Sequence, residues 1–123
     1  MANTKEKAPP VEGVRDLIAH LEKGSKPDRT SWRIGTEHEK FGFYKKTRAP
    51  VPYEGPNGIG ALLNGLAENY GWARIYEGEN VIALEKDRAS VTLEPGGQLE
   101  LSGAPLEHVH QTGDETAAHL SQV

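Results

Sequence analysis

Apolar residues recur at helical spacing in three stretches of the chain, with extended patterns between them. Val14, Leu17, Ile18 and Leu21 stand at i, i+3, i+4 and i+7, which predicts a helix with one buried stripe, and Gly24 followed by Pro27 supplies its stop. From Ser31 to Tyr44 the pattern turns extended, with Trp32, Ile34, Phe41 and Phe43 around the polar centre Thr36-Glu37-His38-Glu39. Side chains alternate along a strand, so Glu37 and Glu39 share a face with Phe41 and Phe43, and that face is expected to be part core and part acidic. Residues 46–57 carry three prolines and a glycine and read as a loop, with Asn57 placed to cap the next helix.

That second helix is drawn by Ile59, Leu62, Leu63, Leu66 and Tyr70 and is ended by Gly71. Trp72 to Tyr76 reads as a short strand. Val81 to Glu85 and Ser90 to Glu94 read as two strands around Lys86-Asp87-Arg88, and Gln98 to Leu101 continues after Pro95-Gly96-Gly97, an antiparallel arrangement. Ser102 is placed to cap a last helix, with Leu106, Val109, Gly113, Ala117 and Leu120 along one side. That helix has no stop signal before Val123. Residues 1–10, polar and ending in Ala8-Pro9-Pro10, read as a disordered leader.

Composition narrows the classes. With 14 Lys+Arg against 18 Asp+Glu the formal charge is −4, and no basic run offsets it, which argues against nucleic acid as a partner. There is no cysteine, hence no disulfide and no thiolate zinc site, so a metal here must be held by oxygen or imidazole. No apolar run approaches the roughly 20 residues that cross a bilayer. The first residues also lack the apolar core of a secretory signal, which leaves no membrane partner and a cytoplasmic chain as the expectation.

The chemistry concentrates in two extended segments, Gly35-Thr36-Glu37-His38-Glu39-Lys40-Phe41-Gly42-Phe43 and Leu93-Glu94-Pro95-Gly96-Gly97-Gln98-Leu99-Glu100-Leu101. Glu37 and Glu39 share parity. Glu94 and Glu100 do too if the extended geometry survives Pro95-Gly96-Gly97, with Leu93, Leu99 and Leu101 on the opposite face. Clustered carboxylates oppose one another's ionisation and call for a neutraliser, and a hard divalent cation such as magnesium suits their oxygens. A solvated sheet face carries the same pattern without any metal. Gly96 and Gly97 either make a plain turn or let the backbone approach a ligand closely. His108 and His110, two apart in the last helix, diverge and read as structural; His38 reads as a packing residue, His20 and His119 carry no signal, and Lys40, Lys86 and Arg88 read as solvated cations able to reach a phosphate.

The run Trp32-Arg33-Ile34-Gly35-Thr36-Glu37-His38-Glu39-Lys40-Phe41-Gly42-Phe43, followed by Leu93-Glu94-Pro95-Gly96-Gly97-Gln98-Leu99-Glu100-Leu101-Ser102-Gly103-Ala104-Pro105-Leu106-Glu107, closely resembles glutamate–cysteine ligase of the plant and proteobacterial type. The resemblance extends from about the first helix to the end of the chain. It implies an α+β fold, an antiparallel sheet curved into a funnel with helices outside, related to the catalytic domain of glutamine synthetase. It also implies an enzyme: ATP phosphorylates the γ-carboxylate of glutamate, and the amine of cysteine attacks the acyl phosphate to give γ-glutamylcysteine, the first step of glutathione biosynthesis. Mg2+ and ATP are the implied cofactor and co-substrate.

Carried onto this chain, the resemblance makes Glu37, Glu39, Glu94 and Glu100 metal ligands, with Glu94 alternatively placing glutamate, and Gly96 and Gly97 the close approach to nucleotide or substrate. No residue stands out as a general base. Family members are several times longer. Residues 11–123 therefore read as the N-terminal part of a single catalytic domain, truncated at its C-terminus, and the fragment alone is expected to be inactive. The short polar leader in place of a long transit peptide favours a bacterial version. Two alternatives stand beside this: a carboxylate–amine ligase of the same fold acting on another amine, and a non-catalytic module binding a cation or a partner through its acidic face.

Overall fold

The computed structural model describes Pro9–Val123; most of the expected leader, residues 1–8, lies outside the described residues. The chain divides into two compact units, up to Trp32 and from Arg33 onward. In the first unit, α1 spans Val14–Gly24, and Asp16 accepts hydrogen bonds from the backbone N–H groups of Glu12 and Gly13 at 2.8 and 3.0 Å. The expected stripe forms, but it is not buried: Val14 and Leu21 are 71% and 75% exposed. A 3-10 turn, Arg29–Ser31, follows, with Asp28 accepting from Thr30 N–H at 3.0 Å. Helical turn here replaces the start of the expected extended segment, because Asp28 offers the backbone a cap that a strand would forgo.

The second unit is an antiparallel sheet of five strands in the order β1-β5-β4-β3-β2, with two helices, the expected α+β architecture. The strands are β1 Glu37–Phe41, β2 Ala73–Glu77, β3 Asn80–Lys86, β4 Ala89–Glu94 and β5 Gln98–Ser102. β2 to β5 form a meander, and β1 adds to its far edge along β5. Asp87 and Arg88 close the β3–β4 hairpin with φ of 49° and 72°. Two successive positive φ values are the signature of a type I′ turn, whose twist matches that of the strands it joins.

The helix α2, Ile59–Tyr70, places Ile59, Leu63, Leu66 and Ala67 against Val81, Leu84, Val91, Leu99 and Leu101 to make the core. Its cap is Gly58 and not Asn57. A Cβ at position 58 would collide with the backbone carbonyls of Tyr53 and Glu54, so the chain passes where only glycine fits. Gly71, at φ 72°, ends the helix in the left-handed conformation as expected.

The helix α3, Val109–Gln122, differs most from expectation. Ser102 belongs to β5, and the cap is His108, with Gln111 accepting from the N–H groups of Glu107 and His108 at 3.0 and 2.9 Å. The apolar side of α3 is not the buried one: Val109 and Leu120 are 64% and 50% exposed, whereas Thr112 and His119 are buried. The face that turns inward is polar because it meets polar groups of the chain. Glu115 accepts from Ala104 N–H at 2.9 Å, and His119 meets Lys40.

Candidate functional site

The register of β1, β5 and β4 decides which side chains share a face. Glu39 pairs directly with Glu100, Glu37 with Ser102, and Phe41 with Gln98. Glu100 pairs in turn with Thr92, Ser102 with Ser90, and Gln98 with Glu94. Directly paired residues of an antiparallel ladder point to the same side. One face therefore carries Glu37, Glu39, Glu94 and Glu100 with Ser90, Thr92 and Ser102, while the other carries His38, Lys40, Val91, Leu93, Leu99 and Leu101. The extended geometry does not continue through Pro95-Gly96-Gly97, where the chain turns back, but the pairing of Glu94 with Gln98 and of Glu39 with Glu100 still brings all four glutamates to one side.

This acidic face is not part core. The α2 helix covers the opposite, apolar side, and Glu37, Glu39, Phe41 and Phe43 are all exposed. The expectation of a mixed face fails because α2, which supplies the cover, packs on the opposite side of the sheet. Glu94 and Glu100 are half-buried, and Glu100 accepts a hydrogen bond from the Ser102 hydroxyl at 2.7 Å.

Glu39 and Glu100 face each other across about 5 Å between Cβ atoms, as direct partners do. The ion pairs among the described residues, Arg33 with Glu107 and Arg74 with Glu68, involve none of the four carboxylates. No three of the described acidic or imidazole side chains converge into one cage. That arrangement does not suit an all-protein calcium cage. It does suit magnesium, which takes one or two carboxylates and completes its shell with water and phosphate oxygens.

Gly96 and Gly97 sit at φ 84° and 79°, and Gly97 N–H donates to Glu94 C=O at 3.2 Å, closing a turn with proline in second place. A left-handed glycine in third place after proline is the type II pattern. Both glycines line an open cleft of about 490 Å³ together with Phe41, Phe43, Arg48, Pro50 and Val51. Arg48 was hidden in what reads as a plain loop. It holds φ 58°, uncommon for a side-chain-bearing residue, and its guanidinium has no ion pair among the described residues.

On the covered side of β1, Lys40 Nζ lies 3.1 Å from the His38 carbonyl and 2.7 Å from Nε2 of His119. The His38 and His119 rings meet edge to face, with centroids 6.5 Å apart. Lys40 is thus not the solvated cation expected. Burial lowers its pKa from the ordinary lysine value, and the charge of Glu100 acts the other way. His119 is 3% exposed and its pKa falls to about 4, through burial first and then the neighbouring Lys40 and His38. One polar residue among many on this helix, His119 gave no sequence signal for this contact. The polar spacing of Thr112, Glu115 and His119 could have given one.

An antiparallel sheet, covered by helix on one side and acidic on the other, defines an α+β protein. The profile of glutamate-cysteine ligase family 2 matches residues 33–123, and the chain belongs to that family. It is 54% identical over 108 residues, 88% of this chain and 20% of the relative, to glutamate–cysteine ligase, chloroplastic, of Nicotiana tabacum. Glutamate–cysteine ligase A, chloroplastic, of Oryza sativa subsp. japonica is 55% identical over 108 residues, 88% of this chain and 21% of that protein. The Medicago truncatula enzyme of the same name as the tobacco one is 52% identical over 109 residues, 89% and 21% of the two chains. The chain spans about a fifth of the length of these relatives. Their names correct the cytoplasmic expectation: the matched relatives are chloroplastic and point to a plastid.

Proposed function

We propose that these residues form the carboxylate-bearing part of an ATP-dependent ligase that joins the γ-carboxylate of glutamate to the amine of cysteine. The product is γ-glutamylcysteine, formed through a γ-glutamyl phosphate in the first step of glutathione biosynthesis. The observation that carries this reading is the open sheet face on which Glu39 stands opposite Glu100, with Glu37 and Glu94 beside them and no cation of the described residues paired to any of the four. Membership of the family supports the substrates.

Glu39 and Glu100, with Glu37 and Glu94 beside them, would hold magnesium, one or two carboxylates to an ion, and the ion would neutralise charge on phosphate oxygens. The chain's own contribution is position. Strands fix the carboxylates at set spacing, and Gly96 and Gly97 leave the turn bare of side chains, so that backbone N–H groups and phosphate oxygens can come close. Arg48, at the same cleft, offers a forked donor to a phosphate. No group acts as a general base in this scheme, which asks the protein for orientation and charge compensation. Residues 11–123 serve as one part of a larger catalytic domain, and the 123 residues by themselves are inactive.

The test is ADP release by the complete protein with glutamate, magnesium and a series of amines. Release that requires glutamate and is fastest with cysteine supports the assignment; equal rates with all amines overturn the cysteine part, and glutamate-independent release overturns the whole. Arg48→Ala is expected to raise the KM for ATP by about ten- to a hundredfold while changing the KM for glutamate little, since a charge-assisted contact to phosphate contributes on the order of 1.5–3 kcal/mol. An unchanged KM for ATP removes Arg48 from the site.

A further inference from the structure

We propose that His119 is a positioning residue: by accepting a hydrogen bond from Lys40 it pins the edge strand β1 to α3, and so fixes where Glu37 and Glu39 stand relative to Glu100. The role assigned to the carboxylates rests on the function proposed above; the pinning itself does not.

The geometry is specific. β1 lies at the edge of the sheet, with β5 as its sole strand neighbour among the described residues. An edge strand is held by one ladder of hydrogen bonds and frays more readily than a central one. Lys40, in the strand, points away from the carboxylates to the covered side, where its ammonium reaches both the His38 carbonyl at 3.1 Å and His119 Nε2 at 2.7 Å. An ammonium has three donors and no acceptor, so Nε2 must offer its lone pair and the ring proton sits on Nδ1. Burial, Lys40 and His38 together keep the imidazole neutral at physiological pH, which is the state this contact needs.

The second tether on the same helix is Glu115, which accepts from Ala104 N–H at 2.9 Å just past the end of β5. Gly103 makes room for it, since a Cβ there would run into the Glu115 carboxylate. Thus one helix face holds both strands that carry the Glu39–Glu100 pair, β1 through His119 and β5 through Glu115. A helix that packed by apolar contact alone would tolerate sliding; paired donors and acceptors at set positions do not. The inward polar face and the outward Val109 and Leu120 follow from this task.

The experiment uses the complete protein with His119→Leu, His119→Gln, Lys40→Met and the Lys40→Met/His119→Leu double variant. Gln places an amide oxygen near the position of Nε2 and can accept from Lys40. Amide exchange of residues 37–41, measured without metal, nucleotide or substrates, is expected to quicken about tenfold in His119→Leu and Lys40→Met, the scale of one lost charge-assisted bond. His119→Gln is expected to stay within about twofold of the native protein, and the double variant to be no worse than either single one, as for partners in one contact. With activity as the second readout, His119→Leu raises the half-saturating magnesium concentration more than it lowers kcat, and His119→Gln restores it.

Unchanged exchange of residues 37–41 in both His119→Leu and Lys40→Met overturns the proposal, as does an additive double variant. Should His119→Leu fail to fold, Lys40→Met and His119→Gln decide alone: quickened exchange in the first and native exchange in the second are required. If the exchange behaves as expected but magnesium saturation does not move, the pinning stands and the metal role of Glu37 and Glu39 fails.

Discussion

Glu100→Gln in the complete protein is expected to lower ligase turnover by about 10²–10³, the range seen when one preorganised electrostatic contact to a developing charge is removed. The same substitution should leave the metal-free fold as stable as before or slightly more so. Glu100 is the centre of the acidic face: Glu39 is its direct partner on one side, Thr92 on the other, and Glu37 and Glu94 lie one diagonal step away. Like charges directly opposite in a ladder destabilise it by about 0.2–1 kcal/mol, so neutralising one relieves the fold while removing a ligand. The Ser102 hydroxyl, which donates to Glu100 at 2.7 Å, can donate equally to the amide oxygen of Gln.

Opposite signs for activity and stability separate a metal-holding carboxylate from a structural one. Glu37→Gln should behave in the same direction. Glu107→Gln serves as the control: its ion pair with Arg33 is partly exposed, with side-chain exposures of 57% and 32%, and such pairs contribute on the order of 0–1 kcal/mol. Its turnover should stay within a fewfold of native. Thermal melts with and without magnesium complete the measurement. A Glu100→Gln protein that keeps most of its turnover, or that magnesium stabilises as much as the native one, would falsify the metal assignment.

How far the chain could be read in advance differs between its faces. The strands and the α2 core were legible because apolar residues alternate or recur at 3.6-residue spacing, and because Gly71, Asp87-Arg88 and Pro95-Gly96-Gly97 mark their ends. That Glu37 and Glu39 share a side was legible from parity, but that Glu94 and Glu100 join them there was not, since it follows from the turn at Pro95-Gly96-Gly97 and from the pairing of β1 with β5. Whether that side is covered was not legible either. Parity says nothing of what packs on each face, and Phe41 and Phe43 drew the expectation toward core, whereas the core forms on the opposite side and leaves them exposed.

The α3 helix misled for a related reason. Periodicity assumes that the apolar side goes inward, but Val109 and Leu120 face out while Thr112 and His119 face in. The sheet offers Lys40 and the Ala104 N–H at that place, and a buried ammonium or amide must find an acceptor. Pairing partners that far apart in the chain leave no local pattern. His119 accordingly carried no signal, although it is the residue on α3 with the most specific contact to the strand that bears Glu37 and Glu39.

The docking of α3 should loosen as the medium is acidified from about pH 6.5 toward pH 4, and His119 sets that window. Its pKa in the fold is about 4 against an ordinary value of 6.5. In that interval the undocked state binds a proton that the docked state excludes, so stability is full above pH 6.5 and falls as the pH drops to 4. At about 1.4 kcal/mol per pH unit over this interval the loss reaches roughly 3 kcal/mol, more than a hundredfold in the opening equilibrium. The surroundings of the imidazole give the cause: it is buried, and a proton on Nε2 would set two cations, His119 and Lys40, in one contact, with the His38 ring alongside. Amide exchange of residues 109–122, corrected for the intrinsic pH dependence of exchange, should quicken through this window in the native protein. It should stay flat in His119→Gln, which has no proton to gain. Acid loosening of the same size in both proteins would assign the effect to carboxylates elsewhere and leave His119 without a part in it.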